Sequence, residues 1–218
     1  MNVIIIGGGG FALEVLTYLK NMQENESLSK NVKFSILDSE CKRFVDLYKI
    51  EPTIKLYDDY NAIPNINDCL FTVAIGNPAA RRRIIIEIEK KNLKLINVIH
   101  PTSVIAPTAY IQSGVIIGPF SFVGPHSSVR KGATLNIYSS IGHDASLGAY
   151  SVLSPYATLN GAATTGEECF LGTNASISPG CSLGARSKLS AGSILNGDTE
   201  PNSMAHGNPA KFRVLFKP

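Results

Sequence analysis

From Ile99 onward an aliphatic side chain recurs at every sixth position. The series runs Ile99, Ile105, Ile111, Ile117, Val123, Val129, Leu135, Ile141, Leu147, Leu153 and Leu159, then Leu171, Ile177, Leu183, Leu189 and Leu195. Thr165 alone breaks it. Two residues before these positions stand small ones, such as Ser121, Ala133, Ala157, Cys169, Ala175 and Cys181. Side chains alternate along an extended chain, so i−2 and i share a face. The pattern predicts short strands joined by two-residue corners, and Pro107, Pro119, Pro125, Pro155 and Pro179 all fall at one corner phase. Three hexads close a triangular coil of about 18 residues, whose inside is a stack of aliphatic side chains. Cys169 and Cys181 lie at inward positions and read as packing residues.

Ahead of the repeat the period changes. Apolar runs and amphipathic stretches predict strand 3–6, helix 11–23, strand 33–37, strand 70–75, helix 78–91 and strand 94–98. This alternation predicts a small α/β, Rossmann-like domain over 1–98, followed by the prism and its C-terminal exit over 99–218. Between the first strand and helix, Gly7, Gly9 and Ala12 match the G-x-G-x-x-G/A spacing of a dinucleotide-binding turn. The segment has room for one mononucleotide half rather than the two that a dinucleotide needs, and Asp38 comes later than the ~20 residues the fingerprint expects. A nucleotide diphosphate fits such a half. The N–H groups of Gly8 to Phe11 can hold its phosphates at the helix start, with Asp38 near its hydroxyls. The alternative is a glycine turn that only lets helix pack on strand.

Composition narrows the partners. The net charge is only +3 and the basic residues are scattered, which gives no reason to expect nucleic acid or an anionic membrane. Arg81, Arg82 and Arg83 read as a solvated helix face, the alternative being a contact to nucleotide phosphates. No apolar run reaches the ~20 residues of a membrane span. The start, Met1-Asn2-Val3-Ile4, lacks the basic region of a signal peptide, so a cytoplasmic protein is expected. The four cysteines, Cys41, Cys69, Cys169 and Cys181, form no C-x-x-C pair, and no metal site is expected.

The repeat resembles that of the hexapeptide-repeat acyltransferases. The whole chain is similar to one branch of them, the bacterial nucleotide-aminosugar N-acetyltransferases related to sialic acid O-acetyltransferases. Four stretches carry the resemblance: IIIGGGGFALEV with ILD ending at Asp38, VAIGNPAARRRI, NIYSSIGHDASLG and HGNPAKF. It implies a left-handed parallel β-helix assembled as a homotrimer, with sites between subunits and acetyl-CoA as co-substrate. It further implies that Gly9, Gly10, Phe11, Asp38 and Ser39 line a nucleotide-sugar site with Gly76 and Asn77 nearby. Val152, Gly161, Thr173 and Ala191 would contact acetyl-CoA.

Among the histidines, His143 stands at a corner beside Asp144, outside the aliphatic stack. Acetyl transfer to an amine needs a proton acceptor near neutrality, which imidazole supplies. Asp144 is the candidate to fix its tautomer. One coil beyond His143 lies Gly161, whose N–H could serve the developing oxyanion. His126 and His206 read as structural. The leading expectation is an acetyl-CoA-dependent N-acetyltransferase acting on a nucleotide-linked amino sugar of the 4-amino-4,6-dideoxyhexose type. Sugar O-acetylation and a non-catalytic nucleotide-sugar-binding scaffold remain the alternatives.

Overall fold

The computed structural model describes residues 1–40 and 51–215. Cys41 and residues 216–218, which the sequence assigns to the two domains, lie outside them. The first part alternates strand and helix: β1 (Asn2–Ile6), α1 (Gly10–Glu24), β2 (Lys33–Leu37), β3 (Lys55–Tyr57), β4 (Cys69–Val73), α2 (Pro78–Lys90) and β5 (Lys94–Leu95). Their parallel sheet has the order β3-β2-β1-β4-β5. The carboxyl ends of the central strands β1 and β4 therefore lie side by side, where open α/β sheets place their ligands. Two elements differ from the sequence pattern. Strand β3 is a three-residue edge strand, too short to show alternation. The predicted strand 94–98 is broken because its partner changes: Ile96 N–H still donates to Phe71 O of β4, whereas Asn97 Oδ1 accepts from Val115 N–H and Val98 N–H donates to Val115 O, turning the chain into the prism.

The second part is a left-handed parallel β-helix of two-residue strands, from β6 (Val98–Ile99) to β22 (Ile194–Leu195). Its three faces are parallel sheets. Face one runs from Val104–Ile105 to Ile194–Leu195, face two from Tyr110–Ile111 to Ser182–Leu183, and face three from Val98–Ile99 to Lys188–Leu189. The hairpin β23 (Ser203–Gly207) and β24 (Ala210–Val214) extends face three and carries His206.

The inward column is buried throughout: Val123, Leu135, Ile141, Leu153, Leu159 and Leu171 are each fully shielded. Burial of such a side chain is worth about 1.5–3 kcal/mol. Thr165 breaks the series for a local reason, since its Oγ1 accepts the Gly148 N–H at 2.9 Å. Cys169 packs in the same interior, and burial pushes its thiol up to about 11.

From Gly114 to Gly192, each corner turns through a left-handed residue at the third place past the inward position. The angle φ is 56° at Phe120 and His126, 59° at Tyr138 and Asp144, and 62° at Tyr156. Asp accepts this region readily, whereas each aromatic residue costs roughly 1–2 kcal/mol there. On the edge between faces three and one the aromatic residues stack, Phe120 on Tyr138 and Tyr138 on Tyr156, both at 5.0 Å between centroids.

The α/β part docks on the first coils of face three and on the edge between faces two and three. Val98 and Ile116 join the core of Val15 and Leu19, while Tyr150 packs with Ile85 and Ile88. His100 closes this junction. It is buried against the edge of Tyr18, with Asn21 Nδ2 at 2.8 Å from Nε2 and Thr102 N–H donating to Nδ1 at 3.2 Å.

Burial lowers the pKa of His100 below the ordinary 6.5. The sign follows from linkage: as pH falls below 6.5 the unfolded chain binds a proton that the folded chain refuses. This contribution to stability is therefore complete above 6.5 and declines as pH falls toward the lowered folded value. His100→Gln should flatten that part of the profile, read as a smaller fall in melting temperature between pH 7.5 and pH 5 than the parent shows. An equal fall in both proteins would remove His100 as the cause.

No helix among the described residues is long and apolar enough to cross a membrane.

Candidate functional site

The glycine turn is built by close approach. Gly7 has φ 122°, and a Cβ there would come within 2.7 Å of Ala74 O. At Gly8 a Cβ would meet the Asp38 carboxyl group at 2.7 Å, so Asp38 lies against the turn. Around Gly9 and Gly76, by contrast, the space is open. Gly9 caps α1 without a side-chain bond, which leaves first-turn N–H groups available to an anion. Phe11 turns instead toward the protein and packs on the Val15–Leu19 core. Asn77 caps α2, its Oδ1 accepting Ala80 N–H at 2.9 Å, with Pro78 at the first helical position. The IGNP stretch is thus a helix-start signal.

Two clefts flank this turn. One of about 390 Å³ is lined by Gly7, Asp38, Ser39, Tyr60 and Arg83. Another of about 470 Å³ lies between the loop at Gly76 and Asn77 and the prism residues Glu168, Phe170, Arg186 and Lys188. A larger cavity of about 680 Å³ sits at the other end of the sheet, by Met1, Asn2 and Lys33. Parallel sheets bind ligands at carboxyl ends of strands, so the two smaller clefts are the relevant ones. Nothing in the sequence pattern singles out Glu168 or Arg186. They are left-handed corner residues on the edge that the α/β part happens to meet.

The arginine run departs from the sequence expectation. Arg82 and Arg83 are exposed, with Arg82 Nε at 3.6 Å from Glu168 Oε1. Arg81, however, is 0% exposed. Its Nε donates to Gly132 O and its Nη1 to Val73 O, while Nη2 donates to Gly114 O at 3.2 Å. The physical reason is helical phase: one position in three consecutive residues must face the docked prism, and here Arg81 takes it.

His143 stands on the edge between faces one and two, where the hexad phase puts it. Its Nδ1–H donates to Asp144 Oδ2 at 2.8 Å. Asp144 is left-handed and its N–H donates to Pro125 O, which fixes the side chain beside the ring. The bond at Nδ1 leaves the lone pair at Nε2. That nitrogen lies over Gly161: a Cβ on Gly161 would be 2.5 Å from Nε2. Among the described residues no acceptor takes the Gly161 N–H, whereas its carbonyl accepts from Gly180. His126 occupies the left-handed corner one coil before Asp144.

The other expected coenzyme contacts lie elsewhere on the prism. Thr173 and Ala191 are exposed and one coil apart on the edge between faces three and one. Val152 points out from face three and is 2% exposed. One chain therefore does not bring His143 and Gly161 together with Thr173 and Ala191; the two pairs border face one from opposite sides.

Two family models match the sequence: the PglD N-terminal domain over residues 2–88, and the hexapeptide repeat of succinyl-transferase over residues 163–196. The chain joins a PglD-type domain to a hexapeptide-repeat prism. That pairing recurs in solved structures over almost their whole length. The acetyltransferase domain of PglB from Neisseria gonorrhoeae, in complex with acetyl coenzyme A, shares 25% identity with this chain. The match has a TM-score of 0.85 and covers 96% of this chain and 98% of that one. PerB from Caulobacter crescentus, in complex with CoA and GDP-perosamine, shares 27% identity at a TM-score of 0.71, over 98% and 97% of the two chains. WeeI from Acinetobacter baumannii has the same fold, with 23% identity and a TM-score of 0.84 over 98% of this chain and 100% of its own. The PglD-type domain holds the glycine turn and Asp38, and the hexapeptide prism holds His143.

Proposed function

We propose that this chain is an acetyl-CoA-dependent N-acetyltransferase acting on the amino group of a nucleotide-linked amino sugar, of the 4-amino-4,6-dideoxyhexose type. The observation that carries the reading is the His143–Asp144 pair, with Nε2 over Gly161, on a fold shared with an acetyl coenzyme A complex and a GDP-perosamine complex. The acceptor nitrogen attacks the thioester carbon directly. As the C–N bond forms, its proton passes to His143 Nε2, and Asp144 stabilises the resulting imidazolium. The Gly161 N–H meets the negative charge that develops on the carbonyl oxygen. The C–S bond then breaks, and the imidazolium returns the proton to the departing thiolate. Thr173 and Ala191 contact the coenzyme; Gly9, Gly10, Asp38, Ser39, Gly76 and Asn77 hold the nucleotide sugar. Phe11 contributes there through its backbone, since its side chain packs inward.

The working form in this reading is a cytoplasmic homotrimer closed through face one. Exposed apolar side chains gather there and on the adjoining edge: Val104 at 60%, Phe122 at 43%, and the stacked Phe120, Tyr138 and Tyr156. Apolar surface of this kind favours burial against another chain. Threefold closure around face one sets the His143 edge of one copy against the Thr173 and Ala191 edge of the next. It also sets His143 toward the next copy's α/β part, which docks on face three.

The test is thiol release from acetyl-CoA with uridine-, thymidine- and guanosine-linked amino sugars, beside free sialic acid. Release with one amino-sugar nucleotide, and an N-acetyl product, supports the reading. Release with sialic acid alone would replace it by O-acetylation. Silence with every acceptor would leave a binding scaffold.

A further inference from the structure

Arg81 poses a problem that the chemistry at His143 does not use. A guanidinium with no exposed surface is costly to bury, and a buried charge ordinarily needs a carboxylate partner. Here the partners are three backbone carbonyls. Two of them, Gly114 O and Gly132 O, belong to successive left-handed corners on one edge of the prism. The third, Val73 O, closes strand β4 immediately before the Ala74–Asn77 loop. Burial lowers the guanidinium to about 9, which still leaves it cationic at neutral pH.

The planar fork therefore ties two pieces that the covalent chain separates widely. On one side is the edge that continues upward to Glu168 and Arg186; on the other is the loop that carries Gly76 and Asn77. These are the two walls of the cleft of about 470 Å³. The surroundings are arranged around the same contact. Lys131 Nζ lies 2.7 Å from Glu89 Oε1, and Arg82 reaches Glu168, so α2 meets this edge at two further points beyond Arg81. The Lys131–Glu89 pair faces solvent and is worth about 0–1 kcal/mol, and the Arg82–Glu168 pair is long at 3.6 Å with its arginine in solvent. The buried fork is the contact whose geometry is fixed, because a guanidinium offers its donors in one plane.

We propose that Arg81 is a positioning residue that sets the width of the cleft between the Gly76–Asn77 loop and the prism edge, and so governs binding of the nucleotide-linked sugar without touching the acetyl-transfer chemistry. This rests on the proposed activity for its substrate, though not for its structural content.

The test compares the parent with Arg81→Lys and Arg81→Gln. Lysine keeps the charge and loses the fork, while glutamine loses the charge. Kinetics and backbone hydrogen exchange are read on the same samples. For Arg81→Lys, the acceptor KM should rise about tenfold or more. The acetyl-CoA KM should change less than about twofold and kcat less than about threefold, as expected when only acceptor binding is weakened. Arg81→Gln should show a larger rise in the acceptor KM. Exchange should quicken at residues 74–80 while the coils at 159–195 stay as protected as in the parent.

An acceptor KM equal to the parent's, or KM values for both substrates rising together, would overturn the proposal. So would unchanged exchange at 74–80. If the parent itself turns over no nucleotide-linked amino sugar, the proposed activity fails. The exchange comparison then decides the role of Arg81 by itself.

Discussion

Replacing His143 by alanine is expected to lower kcat by ~10²–10⁴, the usual loss when a general base is removed. The fold should survive. The imidazole stands at an exposed corner, outside the aliphatic stack, and its ring makes one hydrogen bond, to Asp144. Melting temperature should therefore stay with the parent while turnover collapses. The loss should fall in kcat more than in the acetyl-CoA KM, because the ring acts on the proton of the acceptor and not on coenzyme binding. Asp144→Asn should follow in the same direction with a loss of comparable order, since it removes the carboxylate that selects the Nδ1–H tautomer and steadies the imidazolium. Turnover near the parent's in His143→Ala would take this residue out of the reaction.

The second large effect is expected at a residue with no side chain. Gly161→Ala places a methyl group 2.5 Å from Nε2 and 2.7 Å from Cε1 of His143. Carbon cannot approach that closely, so the ring must swing away from the position its Asp144 bond selects. Misplacement of a catalytic group by about 1 Å costs roughly 10²-fold in rate, and a loss of that order is expected here. Stability should change little, because Gly161 has no left-handed backbone to lose and the ring is free to move toward solvent. The diagnostic is a double variant. Adding Gly161→Ala to His143→Ala should cost little more, since no ring is left to displace. If the losses multiply in full, the added methyl acts on the reaction independently of the ring, by crowding the space beside the Gly161 N–H.

Much of this site is written in the hexad. Once every sixth residue is assigned inward, His143, Asp144 and Gly161 fall at a corner, and their stacking one coil apart follows from the period. The glycine turn is legible for a related reason: Gly7 and Gly8 meet Ala74 and Asp38 so closely that only glycine fits. What lies outside the pattern is whatever depends on how the two parts meet. Arg81 sits in a run of three arginines, and nothing local distinguishes the one that faces the prism. Glu168 and Arg186 become lining residues only because α2 is pinned to their edge. The separation of Thr173 and Ala191 from His143 was implicit in the register, since residues at the same corner phase but a different position in the coil occupy different edges. The aromatic column of Phe120, Tyr138 and Tyr156 was readable in the same way, one coil apart at a single phase. Strand β3 carried no signal, being three residues long and at the edge of its sheet.

If the base of one copy serves the coenzyme edge of the next, mixing two kinds of defective chain should restore activity. His143→Ala and Ala191→Trp chains, each inactive alone, are co-expressed with different tags, and the doubly tagged species is assayed. If the site spans two chains, each mixed trimer regains one working site of its three, so activity per site should return to about one third of the parent's. Mixed trimers as inactive as either variant alone would contradict the account, because both residues would then have to come from the same chain.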